Sequence, residues 1–158
     1  MERRVTAPAH YAIGAASALF VQNFLPVTAG LKTRIVVGFA AAFFSHIPAD
    51  AVPHAEHFLR GRYLAVELVL ESILMLVILV GASAGQFAAM VILAGMAGAA
   101  VPDGLGMLSQ HANLPLVSWA FYKLHVYHGK LNLFYADYFV QLVITVLCSI
   151  YVRIESAK

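Results

Sequence analysis

Residues 38–57 read GFAAAFFSHIPADAVPHAEH. The first seven are apolar enough to sit in hydrocarbon. The thirteen that follow hold three histidines, an aspartate and a glutamate. An apolar helix that delivers such a cluster at its end reads as a membrane helix opening onto a polar chamber. The rest of the chain is read outward from that boundary.

The chain has 158 residues, 61% of them hydrophobic and 11% charged. A soluble domain carries about 25% charged residues, so this composition belongs to the membrane class. The length allows one bundle, residues 1–158, and no second domain. The net charge of +2 and the lack of a basic run give no footprint for nucleic acid. Cys148 is the only cysteine and lies in an apolar run, which excludes a disulfide framework within the chain and reads as an inert thiol. Seven histidines against eight carboxylates is a high ratio for so apolar a sequence.

A spanning helix needs about 20 mostly apolar residues. Five segments qualify: about Pro8–Leu25, Thr33–Ala49, Tyr63–Val80, Gln86–Leu105 and Tyr135–Val152. The first follows Arg3 and Arg4, as a secretory leader would, but it opens with His10 and reads as a membrane helix. Pro48 is expected to kink or end the second, leaving its polar residues to converge from a loop. The fourth contains GMAGAA (Gly95–Ala100), whose small residues permit close helix approach and suit a helix partner or a second copy. The stretch LVSWAFYKLHVYHGK (residues 116–130) mixes Trp, Tyr, Lys and His with apolar positions, and reads as an interfacial helix between the fourth and fifth spans. The expected fold is therefore an all-α integral membrane bundle of five spans.

Five spans put all seven histidines at one end. His10 opens the first helix, and His46, Asp50, His54 and His57 lie at or past the end of the second. Glu67 and Glu71 lie early in the third, Asp103 ends the fourth, and His111, His125 and His128 lie in the connection after it. The same end holds Arg3, Arg4, Arg60, Arg62, Lys123 and Lys130, against Lys32, Arg34, Arg153 and Lys158 at the other. The excess of cations places the N-terminus on the cytoplasmic side.

Glu71 falls within LAVELVLESILMLV, where an ionisable group costs on the order of 2–3 kcal/mol unless paired or hydrated. Glu67 and Glu71 are four apart and share a helix face. On an unbroken helix His46 and Asp50 would also share a face, as two ligands of one ion. His125 and His128 form a second pair at i and i+3. Imidazole with carboxylate suits zinc, or manganese or iron.

The stretches APAHYAIGAA, SHIPADAVPH, AVPDGL and LHVYH together resemble a family of small bacterial membrane proteins described as predicted membrane-bound metal-dependent hydrolases. That family combines a histidine opening the first helix, a His-x-x-x-Asp pair, a Pro-Asp and paired histidines in a later loop. The resemblance implies an integral protein of a bacterial inner membrane, with His10, His46, Asp50, His54, Asp103, His125 and His128 as candidate metal ligands. More distantly, Ser45, His46, Asp103 and the His125/His128 pair look similar to the site of intramembrane zinc amidases of the ceramidase type, an analogy of chemistry alone.

The expected function is a metal-dependent hydrolase acting on a lipid or other amphiphilic ester, amide or phosphate near the interface, with Glu71 as general base. Two other classes stand beside it. A haem or metal-binding electron-transfer module would use the histidines but leave Asp50, Asp103 and Glu71 without a role. A non-catalytic scaffold or accessory subunit would place the same residues at a wet interface and use Gly95–Ala100 to hold its partner.

Overall fold

The first apolar run is rich in alanine, which decides where it sits. In the computed structural model, which describes residues 7–50, 62–81, 85–112, 114–116 and 134–158, that run forms α1 (Ala7–Gln22). Ala9, Ala12, Ala15, Ala18 and Leu19 are buried on it, a stripe with helical period. The other helices are α2 (Leu31–Asp50), α3 (Arg62–Gly81), α4 (Gln86–Ala112) and α5 (Phe134–Ser156). The described residues form five helices and no strand, so the protein is all-α. Small side chains on α1 let four neighbours close around it, and α2, α3, α4 and α5 all pack on it.

The tightest packing is among α1, α2 and α4. A Cβ added at Gly14 would lie 2.5 Å from the Ala99 Cβ and 2.6 Å from the Gly95 carbonyl oxygen. One at Gly95 would lie 2.6 Å from the Gly14 carbonyl oxygen, and one at Gly98 would run into the Phe39 carbonyl oxygen. The helix backbones therefore touch where glycine removes the side chain. Gly95, Gly98 and Ala99 are buried against α1 and α2 of the same chain. The small residues Gly95, Gly98 and Ala99 thus have helix partners within the chain.

Two prolines sit inside helices. Pro48 does not end α2, which continues through it to Asp50. Phe44, whose carbonyl loses its amide donor, and Pro48 are both exposed, so the missing bond falls on the outer side of the helix. The inner side, with His46 and Asp50 four residues apart, stays regular. Pro102 is likewise inside α4, which runs on to Ala112 and carries His111 within the helix instead of in the connection after it. The interfacial helix expected around residues 116–130 lies outside the described residues.

At the opposite end, α1 stops at Gln22, three residues before the expected Leu25. Short bonds from Asn23, Phe24 and Leu25 amides to Phe20, Val21 and Gln22 carbonyls wind it into a turn. The Gln22 amide donates to the carbonyls of Ala18 (2.7 Å) and Arg34 (3.3 Å). Arg34 in turn donates to the Ala29 and Pro26 carbonyls and lies over the Phe87 ring. These contacts close the α1–α2 hairpin and fix its antiparallel register.

Among the described residues, two helical stretches are long and apolar enough to cross a membrane: Gln86–Leu105 within α4 and Phe139–Ser156 within α5. α1, at 16 residues, measures about 24 Å along its axis. α2 is interrupted by Lys32, Arg34 and Asp50. On α3 the apolar stretch among the described residues is Val69–Gly81.

The close approach at Gly98 makes a matched test. Gly98→Ala puts a methyl group into the Phe39 backbone, forces α2 and α4 apart and lowers the unfolding temperature in detergent by several degrees. Gly104→Ala, on the same helix in open space, is neutral or stabilising by up to about 1 kcal/mol. Thermal unfolding of the two variants beside the parent checks the pair.

Candidate metal centre

α1 and α2 run antiparallel, so the start of one meets the end of the other. His10, in the first turn of α1, is 4% exposed. His46 and Asp50, in the last turns of α2, are 1% and 0% exposed. His10 Nε2 lies 3.5 Å from Asp50 Oδ1, and His46 Nε2 lies 3.6 Å from the same oxygen. The two imidazole rings lean on one another, with centroids 4.5 Å apart and planes tilted by 34°. One nitrogen from each histidine and one carboxylate oxygen all lie within 4.8 Å of one another. Such a group can hold a metal ion.

α4 contributes twice. The Ala99 carbonyl oxygen lies 2.9 Å from His46 Nδ1. A carbonyl only accepts, so Nδ1 carries the proton and donates it. In the neutral ring Nε2 then presents its lone pair, and it presents it to Asp50. This is the arrangement of a metal-ligating histidine whose other nitrogen is held by a backbone carbonyl. Asp103 Oδ1 lies 3.6 Å from the same Nε2. Its side chain is 35% exposed, which sets it apart from the fully enclosed trio.

The separations have a chemical meaning. A charge-assisted N–H···O bond is about 2.7–2.9 Å long. Two ligands bonded at 2.0–2.2 Å to one tetrahedral ion stand roughly 3.4 Å apart. Pairs at 3.5 and 3.6 Å are close to the second distance and too long for the first. Asp50 is fully buried, where an ionised carboxylate is costly without a cation beside it.

Of the residues expected at the site, His10, His46, Asp50 and Asp103 come together. His54, His57, His125 and His128 lie outside the described residues, as do the side chains of Glu67 and His111. Glu71 is half-buried in the middle of α3 and is not a member of the trio. Its neighbour Ser72 shares a 2.9 Å hydrogen bond with the Tyr11 hydroxyl, which joins α3 to α1 one residue from His10. The rings of His10 and His46 lie against each other and leave no slot for a porphyrin plane between them, so this pair does not suit the two axial positions of a haem.

Two contributors have no side-chain signal in the sequence. The Ala99 carbonyl is a backbone group, and only its neighbours Gly95 and Gly98 hint at a close approach there. The Tyr11–Ser72 bond is not visible until α1 and α3 are placed side by side. No family model matches the chain, and no curated protein or solved structure matches it either.

Removing one member of the enclosed group separates it from its surroundings. His10→Ala leaves buried Asp50 with one imidazole fewer and costs on the order of 3 kcal/mol. Tyr11→Phe, which breaks the neighbouring bond to Ser72, costs about 1 kcal/mol. Denaturation in detergent measures both, and equal costs would deny the trio any special weight.

Proposed function

We propose that this chain is an integral membrane bundle of five spans and acts as a metal-dependent hydrolase on a lipid or other amphiphilic ester, amide or phosphate. One observation carries the reading: a buried His10–His46–Asp50 group at ligand spacing, in a chain whose outer surface is apolar. On α3, Val66, Val69, Leu70, Ile73, Leu74 and Val77 are exposed, and on α5, Leu142, Val146, Leu147 and Ile150. Each such side chain left in water forgoes about 1.5–3 kcal/mol of burial, so hydrocarbon is the fitting surround. Only 11% of the α5 window is buried within the chain.

In this reading His10, His46 and Asp50 hold the ion, with zinc first and manganese or iron as alternatives. A zinc-like ion held there would acidify a water and polarise a carbonyl or phosphoryl oxygen. The Ala99 carbonyl keeps the His46 ring turned toward the ion. Glu71, next in sequence to the Ser72 that bonds Tyr11, is the proton acceptor. The apolar exterior makes an amphiphile the natural substrate, since it reaches the site without leaving the membrane.

Elemental analysis of the detergent-purified protein beside His46→Ala/Asp50→Ala tests the reading. The expected result is about one equivalent of zinc, manganese or iron in the parent and none in the variant. The parent then cleaves at least one of a lipid ester, amide or phosphate set. Glu71→Gln keeps its metal and loses turnover by at least about a hundredfold, within the usual range for general base catalysis. A metal-free parent purified without chelator overturns the assignment and leaves a scaffold in its place.

A further inference from the structure

The four groups at the site are not equivalent. His10, His46 and Asp50 are enclosed by α1, α2 and α4, with side-chain exposures between 0% and 4%. Asp103 is 35% exposed, yet its Oδ1 reaches within 3.6 Å of His46 Nε2. Gly104, the next residue, has nothing within 4 Å of the place a Cβ would take. Among the described residues, the α4 turn at Asp103 is therefore the exposed side of the cluster.

His46 Nε2 belongs to two edges at once. The outer edge runs from Asp103 Oδ1 to Nε2, and the inner edge from Nε2 to Asp50 Oδ1, each 3.6 Å. Because Ala99 holds the ring by Nδ1, Nε2 stays between the two carboxylates. Resting on the metal-centre reading above, we propose that Asp103 is the uptake carboxylate of the site: it captures a divalent cation at the surface and passes it across His46 to the enclosed trio, and it is not one of the holding ligands. The transfer exchanges one carboxylate for another while His46 keeps its bond, so no bare ion crosses the apolar wall. The hydrating waters leave at the exposed edge, where there is room for them.

A surface carboxylate with this task changes how fast the ion arrives more than how tightly it is held. A charge lining a cleft raises the arrival rate of an opposite charge by about ten- to a thousandfold, and salt weakens the effect.

The test uses full-length protein in detergent, stripped of metal and mixed with cobalt(II), whose absorption reports the bound ion. Asp103→Asn reaches the parent's cobalt content at equilibrium but loads about tenfold or more slowly, with a weaker dependence on salt. Asp103→Glu keeps the charge and restores most of the rate. Asp50→Asn, by contrast, fails to reach full content. Full equilibrium content in Asp103→Asn also shows that the variant is folded. The proposal is overturned if Asp103→Asn loses the stoichiometric ion, which would make Asp103 a holding ligand, or if it loads at the parent's rate. A parent that takes up no cobalt overturns the metal centre itself, so failure of this inference alone is distinguishable from failure of the reading beneath it.

Discussion

Everything at the polar end depends on how closely α4 lies against α1 and α2. That distance is set by the absence of three Cβ atoms, at Gly14, Gly95 and Gly98. In an apolar surround, helices gain little from hydrophobic burial against one another and gain instead from backbone contact and dispersion. Backbone contact also brings the Ala99 carbonyl within reach of His46. A helix packed on larger residues would stand off by an ångström or more, and the ring would lose the acceptor that turns it. The glycines are thus positioning devices for an imidazole several residues away in sequence and on another helix.

The exposure pattern divides the helices by task. α1, α2 and α4 supply the small residues, the prolines and the enclosed His and Asp side chains. α3 and α5 offer mostly their outward faces, with Met75, Leu79 and Val152 as their buried contacts to the core. Among the described residues, the enclosed His and Asp side chains lie on α1 and α2, and most of the large exposed apolar side chains lie on α3 and α5. Histidine and carboxylate can occupy apolar helices only because the other side chains around them are shielded as well.

Much of this was legible from the residues. Apolar runs near twenty residues gave the five helices, and their alternating direction gathered His10, His46, Asp50 and Asp103 at one end. What misled was local chemistry weighed without its neighbours. Proline at 48 removes one amide donor, and counted alone that argues for a helix end. Pro48 puts the loss on an exposed face, so α2 continues to Asp50. The reverse error occurred at Gln22, where an apolar run that reads as helix is wound into a turn by Gln22 and Arg34 across the hairpin. The GMAGAA stripe was read correctly as a close-approach surface, but periodicity cannot say which helix approaches it. The role of Ala99 was out of reach, because a carbonyl has no letter in the sequence.

The antiparallel pairing of α1 with α2 has a consequence for how the protein comes into being. A chain is made from its N-terminus, and its parts associate as they emerge. His10, His46 and Asp50 all belong to the first hairpin, whereas α4 supplies only the acceptor for His46 and the outer carboxylate. The inner half of the site is therefore present before α3, α4 and α5 exist. A cation bridging His10 to His46 and Asp50 would fasten the open end of the α1–α2 hairpin, opposite the turn that Gln22 and Arg34 close, while the two helices wait for their neighbours. The ion would then serve the nascent chain as a clasp before it serves the finished protein.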